Sequence, residues 1–182
     1  MAHLVFRRAV WQKVIRCYTL YTMIQGTLNA QQIATYFLWK AHEEKKVITN
    51  KKLQKLLYYA QAWSLVLRDK KLFKEKIEAW VHGPAVRGVY LEYKKFGFGA
   101  ITLSVSDDDI KKISDDTRKF LDQVWSVYGK RDAAYLEYLS HSETPWQKAR
   151  EGLEPHIGSE NEISLKDMKE FYGAKLKQPK GA

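Results

Sequence analysis

His141-Ser142-Glu143 has the His-x-Glu spacing with which zinc deaminases hold their metal and move a proton. That chemistry also needs a downstream Cys-x-x-Cys pair, and the single cysteine of the chain, Cys17, lies upstream. His42-Glu43-Glu44 has no second histidine to complete the helical zinc site of a metalloprotease. Asp107-Asp108-Asp109 lacks the alternating oxygen ligands and the glycine of a calcium loop. The run is expected to cap the helix that follows, over 113–128, where acids favour the positive end of the dipole. Asp115 and Asp116 are neighbouring carboxylates on a face expected to be solvated. No glycine-rich phosphate loop and no Gly-x-Ser-x-Gly occurs. No catalytic residue, cofactor site or metal site is therefore expected, and the chain does not read as an enzyme.

The stretch "AWVHGPAVRGVY", residues 79–90, admits two readings. It is either a reactive or partner-contacting loop around His82, or a corner at which one element ends and a helix begins. Ile77, Ala79 and Val81 alternate with Glu78, Trp80 and His82, as in a short strand. Pro84 fits the first turn of a helix, where its missing N–H costs nothing. Val86, Val89, Tyr90 and Tyr93 then form a helical stripe that Gly97 would stop. On this reading His82 is a turn histidine bonded to backbone. Trp80, Tyr90 and Tyr93 beside Arg87 have the composition of interface hot spots, though the aromatics suit a core equally well.

The elements around this corner read as helices. Ile33, Ala34, Phe37, Leu38 and Ala41 recur at three- and four-residue steps after Asn29, a candidate N-cap, in a helix expected to end near Lys46. Thr49 or Asn50 caps a second helix with an apolar set of Leu53, Leu56, Leu57, Ala60, Ala62, Trp63 and Leu67, and with Lys51, Lys52 and Lys55 placed outside. Gln54 and Gln61 fall inside its apolar stretch and are expected to bridge to neighbouring backbone. Ile101–Val105 is expected to be the second strand of a small hairpin with residues 77–81. Ile113–Tyr128 is amphipathic and stops at Gly129; Asp132 starts a helix through Leu139, Thr144-Pro145 another that carries Trp146 and ends about Arg150, and Ser164 the last, to about Leu176. The expected fold is mainly α: one compact multi-helix domain over residues 23–176 with at most one short β-hairpin.

The chain has 182 residues, 45% hydrophobic and 13% aromatic, enough for one domain with a core. One cysteine excludes an internal disulfide and fits a reducing cytoplasm. No apolar run approaches a membrane span. The net charge of +10 points to an acidic partner or nucleic acid, but it is concentrated at the ends. Residues 1–22 carry Arg7, Arg8, Lys13 and Arg16 and no acid, and the frayed tail at 177–182 is basic. A nucleic-acid reading needs basic residues clustered on one helix, and Lys51, Lys52 and Lys55 are the candidates. Trp11, Val14, Ile15 and Tyr18 make residues 1–22 a basic amphipathic piece. The segment is either an extra helix or upstream sequence before a start at Met23.

Three blocks, "ITNKKLQKLLYYAQAWSL" (48–65), "LFKEKIEAWVHGPAVRGVYLEY" (72–93) and "VWSVYGKRDAAYLEYLSHSETPWQKAR" (124–150), resemble the Panacea-domain proteins in content, order and spacing. That family includes SocA-like antitoxins and phage-associated GepA-like proteins, and the likeness covers about residues 28–150. The resemblance implies a mostly helical antitoxin that neutralises a cognate toxin by direct contact. For the SocA-like type it implies delivery of the toxin to the ClpXP protease. It supplies no catalytic residues. The chain departs from many relatives at His82, where they carry an aromatic, and at Arg87, where they carry proline. Trp80, His82, Arg87, Tyr90, Tyr93 and Arg150 are the expected partner-binding residues, with regulation through nucleic acid as the alternative function.

Overall fold

A computed structural model describes residues 28–177. The expected extension over 1–22 and all of the expected tail except Lys177 lie outside the described residues. Among these there are eight α-helices and one two-stranded hairpin, so the fold is mainly α as the periodicity implies.

Helix α1 (Ala30–Glu43) begins at a capping box: Asn29 Oδ1 accepts from Gln32 N–H at 2.8 Å, and Gln32 Oε1 accepts from Asn29 N–H at 2.9 Å. Helix α2 (Asn50–Leu67) is capped by Thr49. It is the axis of the domain and packs on α1 and on the elements introduced below. Leu53, Leu56, Leu57, Tyr58, Tyr59, Ala60 and Ala62 are buried around its circumference, and a helix apolar on all sides must be enclosed by others. Leu67, expected in the core, is exposed at its end.

Strand β1 (Glu78–Trp80) pairs antiparallel with β2 (Gly83–Ala85), matching Trp80 with Gly83. Helix α3 (Arg87–Tyr93) and one 3-10 turn follow. A short helix α4 (Asp107–Lys111) takes the three aspartates in its first turn, with Ser106 as N-cap. Helices α5 (Asp115–Tyr128), α6 (Ala133–His141) and α8 (Leu165–Lys177) complete the enclosure of α2, and α7 (Thr144–Ala149) packs on α6 and α8. Ser114 and Asp132 cap α5 and α6 through their side chains. Aromatics lock the packing: Tyr59 stacks on Tyr128 at 4.0 Å, and Tyr172 of α8 meets Tyr58, Tyr59 and Trp63 edge-on.

Three expectations are corrected. The hairpin partner of β1 is 83–85, not 101–105. The turn Val81-His82 is short, and Gly83 (φ +88°) turns the chain back immediately. The other side of β1 is occupied, because Ala79 N–H donates to Asn161 C=O and Ile163 N–H to Ile77 C=O. Residues 100–101 meet 48–49 instead, through a Thr49–Ala100 bridge. Second, Pro84 lies in β2 and not in a helix. Gln54 Oε1 accepts from Val86 N–H at 2.8 Å and Lys55 Nζ donates to Pro84 C=O at 3.0 Å, which holds 84–86 extended and delays α3 to Arg87. Third, Lys52 and Lys55 are inside. Lys55 is 2% exposed, and Lys52 Nζ donates to Gly129 C=O at 2.6 Å.

The buried glutamines behave as expected. Gln61 accepts from Leu72 and Phe73 N–H and donates to Phe73 C=O, tying α2 to the following loop. Gln54 also donates to Asn50 Oδ1.

Candidate partner-binding surface

The surface is built around one buried acid. Glu78 and Trp80, two residues apart on β1, point to the same side of the strand. Glu78 is 0% exposed, and its carboxylate accepts from Trp80 Nε1 at 2.6 Å, from Lys76 Nζ at 3.0 Å and from Arg87 Nε at 3.4 Å. Burial raises the pKa of this carboxyl. The bonds from Trp80 and Lys76 and the positive charges of Lys76 and Arg87 outweigh that and hold it below the usual value. The acid therefore stays ionised and pins the Trp80 indole and the Arg87 guanidinium together.

Arg87 also pairs with Glu160 and lies 5.8 Å over the Trp80 ring. Tyr90, one turn along α3, meets Trp80 edge-to-face at 4.8 Å. Trp80 and Tyr90 are half-buried, Arg87 is exposed, and Leu91 beside them is exposed. The backbone carbonyl of Trp80 accepts from Trp146 Nε1 at 3.1 Å, which anchors the strand to α7. The result is an amphipathic aromatic face whose side chains are held before any partner arrives, the arrangement in which binding loses little side-chain entropy.

The other expected residues are placed differently. His82 occupies the hairpin turn with its side chain 75% exposed, and Nδ1 lies 3.0 Å from Glu137 Oε1 on α6. It bonds a carboxylate where a backbone partner was expected. Glu137 also accepts from Lys51 Nζ at 2.7 Å. Tyr93 is buried, and its hydroxyl accepts from Gln31 Nε2 of α1. Arg150 is buried under the hairpin. It donates to the carbonyls of Ala79, Glu154, Pro155 and Ile157. The fold therefore brings Trp80, Arg87 and Tyr90 to one face, puts His82 at its edge, and uses Tyr93 and Arg150 beneath it. Glu78, Glu137 and Glu160 are parts of the arrangement that sequence reasoning missed. The Glu78-x-Trp80 spacing on a strand was the available signal for the first. Glu137 and Glu160 come from distant segments and left none.

Lys55 lies behind the hairpin, and burial drives its pKa down from 10.5 to about 7. With Lys52 and Lys55 turned inward, α2 offers no basic stripe to a phosphate backbone. Among the described residues no group of three or more metal-ligating side chains comes together, and no helix is long and apolar enough to cross a membrane.

The model of the SocA-like antitoxins, Panacea domain, matches residues 53–147. The chain belongs to this family. The matched Panacea region runs from α2 into α7 and contains the whole Trp80–Arg87–Tyr90 face together with Lys55 and Glu137. The antitoxin SocA of Caulobacter vibrioides (strain NA1000 / CB15N) is 27% identical over 168 residues, covering 85% of this chain and 89% of that protein. No solved structure matches. Membership of a SocA-like Panacea family supports an antitoxin role in general, and with it a regulator rather than a catalyst and a cognate toxin as partner.

Proposed function

We propose that this protein neutralises its cognate toxin in the cytoplasm by direct contact, and that Trp80, Arg87 and Tyr90 form the centre of the contact with His82 at its rim. The observation that carries this reading is the pinning of Trp80 and Arg87 by buried Glu78. A tryptophan and an arginine held in fixed geometry on an accessible face are the residue types that dominate interface energetics. Tyr93 and Arg150 support the face from below. Neutralisation proceeds by occluding the toxin; hand-over of the bound toxin to a protease such as ClpXP is compatible with the same contact.

Co-production with the product of the adjacent reading frame tests this. The expected result is a stable complex and relief of toxicity. Trp80→Ala and Arg87→Ala should each weaken the complex at least tenfold; both also remove a partner of buried Glu78 and should lower the melting temperature, so binding is compared well below it, where both variants are folded. A harmless neighbour, or full binding by both folded variants, refutes the proposal. Measuring toxin half-life in cells with and without ClpXP then separates occlusion from delivery.

A further inference from the structure

Ile101-Thr102-Leu103-Ser104-Val105 has the composition of a strand, with apolar residues alternating with hydroxyl residues. Ile101 and Val105 are half-buried, and Leu103 between them is 38% exposed. The Ile101 N–H donates to Ile48 C=O at 2.9 Å, beside the Thr49–Ala100 bridge. Among the described residues, the backbone groups from Thr102 to Val105 have no main-chain partner. Successive N–H groups along an extended chain point to opposite sides. Continued as an extended strand from Ile101, whose N–H donates to Ile48 C=O, the segment would turn the Thr102 and Ser104 N–H groups away from Ile48. An open row of this kind is a template for pairing with another chain. It borders a groove of about 390 Å3 that Leu38, Ala41, Val47 and Leu103 help to line, and Val47 is 66% exposed.

We propose that this segment pairs antiparallel with the same segment of a second copy of the chain, about a twofold axis at Leu103. The segment reads alike in both directions. Antiparallel pairing about its centre sets Ile101 against Val105 of the second copy, Thr102 against Ser104, and Leu103 against Leu103. These apolar and hydroxyl cross-strand matches are favourable. Because the free N–H groups belong to Thr102 and Ser104, these two residues form the hydrogen-bonded pairs. The Leu103 pair is then non-hydrogen-bonded, with Cα atoms about 4.5 Å apart. Two such short strands fall below the roughly 1,600 Å2 of a standard interface, so the dimer is weak and concentration-dependent. The inference stands independently of the toxin-binding reading.

Sedimentation of the full chain over a concentration series, together with cysteine cross-linking in a Cys17→Ser background, tests the pairing. A concentration-dependent dimer is expected, and Thr102→Pro, which removes an outward N–H, should raise its Kd at least tenfold. Leu103→Cys should form an interchain disulfide on mild oxidation, and Ile101→Cys should do so far more slowly, since it lies beyond disulfide reach of its own copy. A chain that stays monomeric up to about 1 mM, where even an association worth only about 4 kcal/mol would be half formed, overturns the proposal. So does a dimer that Thr102→Pro leaves intact, or one in which both cysteines cross-link equally. A monomer whose toxin binding is lost in Thr102→Pro assigns the edge to the toxin and equally refutes self-pairing.

Discussion

Lys55→Met should remove a pH dependence of stability that the wild-type chain carries. Lys55 is enclosed by α2, β2 and α6; its one hydrogen-bond acceptor is the Pro84 carbonyl, and Glu137 attracts its charge only from a distance. Burial lowers its pKa from 10.5 to about 7 in the folded chain. Between those two values the unfolded chain holds a proton that the folded chain does not. Stability therefore rises with pH through this window, and the cost of a buried ammonium is largest below pH 7. One differentially bound proton gives about 1.4 kcal/mol per pH unit, and partial protonation near pH 7 reduces the gain from pH 7 to pH 9 to about 2 kcal/mol. Methionine has similar length and no proton, so the difference in unfolding free energy between wild type and Lys55→Met should grow by that amount over the same interval. Urea denaturation of both proteins at pH 7, 8 and 9 measures it, and taking the difference cancels the other titrating groups. A difference that stays constant within about 0.5 kcal/mol would mean that Lys55 keeps its charge when folded, and the argument from burial would be wrong.

The hairpin yields a second prediction. Gly83 has φ +88°, and a Cβ there would lie 2.8 Å from Lys55 Cε and 3.0 Å from Ser140 Oγ. Gly83→Val should therefore cost at least about 3 kcal/mol from backbone strain and overpacking combined. His82→Ala, which loses an exposed pair with Glu137, should cost at most about 1 kcal/mol. Equal thermal shifts for the two variants would contradict the geometry of the turn. Gln61→Leu should cost about 2 to 4 kcal/mol, because it strips partners from two buried N–H groups and one carbonyl between α2 and Phe73. A change below 0.5 kcal/mol in chemical denaturation, where surface substitutions fall, would show that water replaces the amide.

The helical elements were legible because their information is local. Three- and four-residue apolar periods and the caps at Asn29, Thr49 and Asp132 act within one or two turns, and the structure follows them; the aspartate run, expected to cap the helix over 113–128, instead forms the first turn of the separate helix α4, and Ser114 caps α5. The buried glutamines were legible for a related reason: an amide in an apolar stretch must find backbone partners, whatever the fold. The orientation of Lys52 and Lys55 was not, since it depends on carbonyls at Gly129 and Pro84 that arrive from distant segments. The pairing of β1 was not legible either. Three candidate segments compete for its edges, and only the packed chain shows that 83–85 and 161–163 take them and leave 101–105 unpaired. The partner surface divides in the same way. Residue types marked Trp80, Arg87 and Tyr90 as suited to a contact, and equally marked Tyr93 and Arg150. Burial separated the two groups, because a side chain's exposure is set by what covers it, and the covering residues lie up to about seventy positions away in the chain.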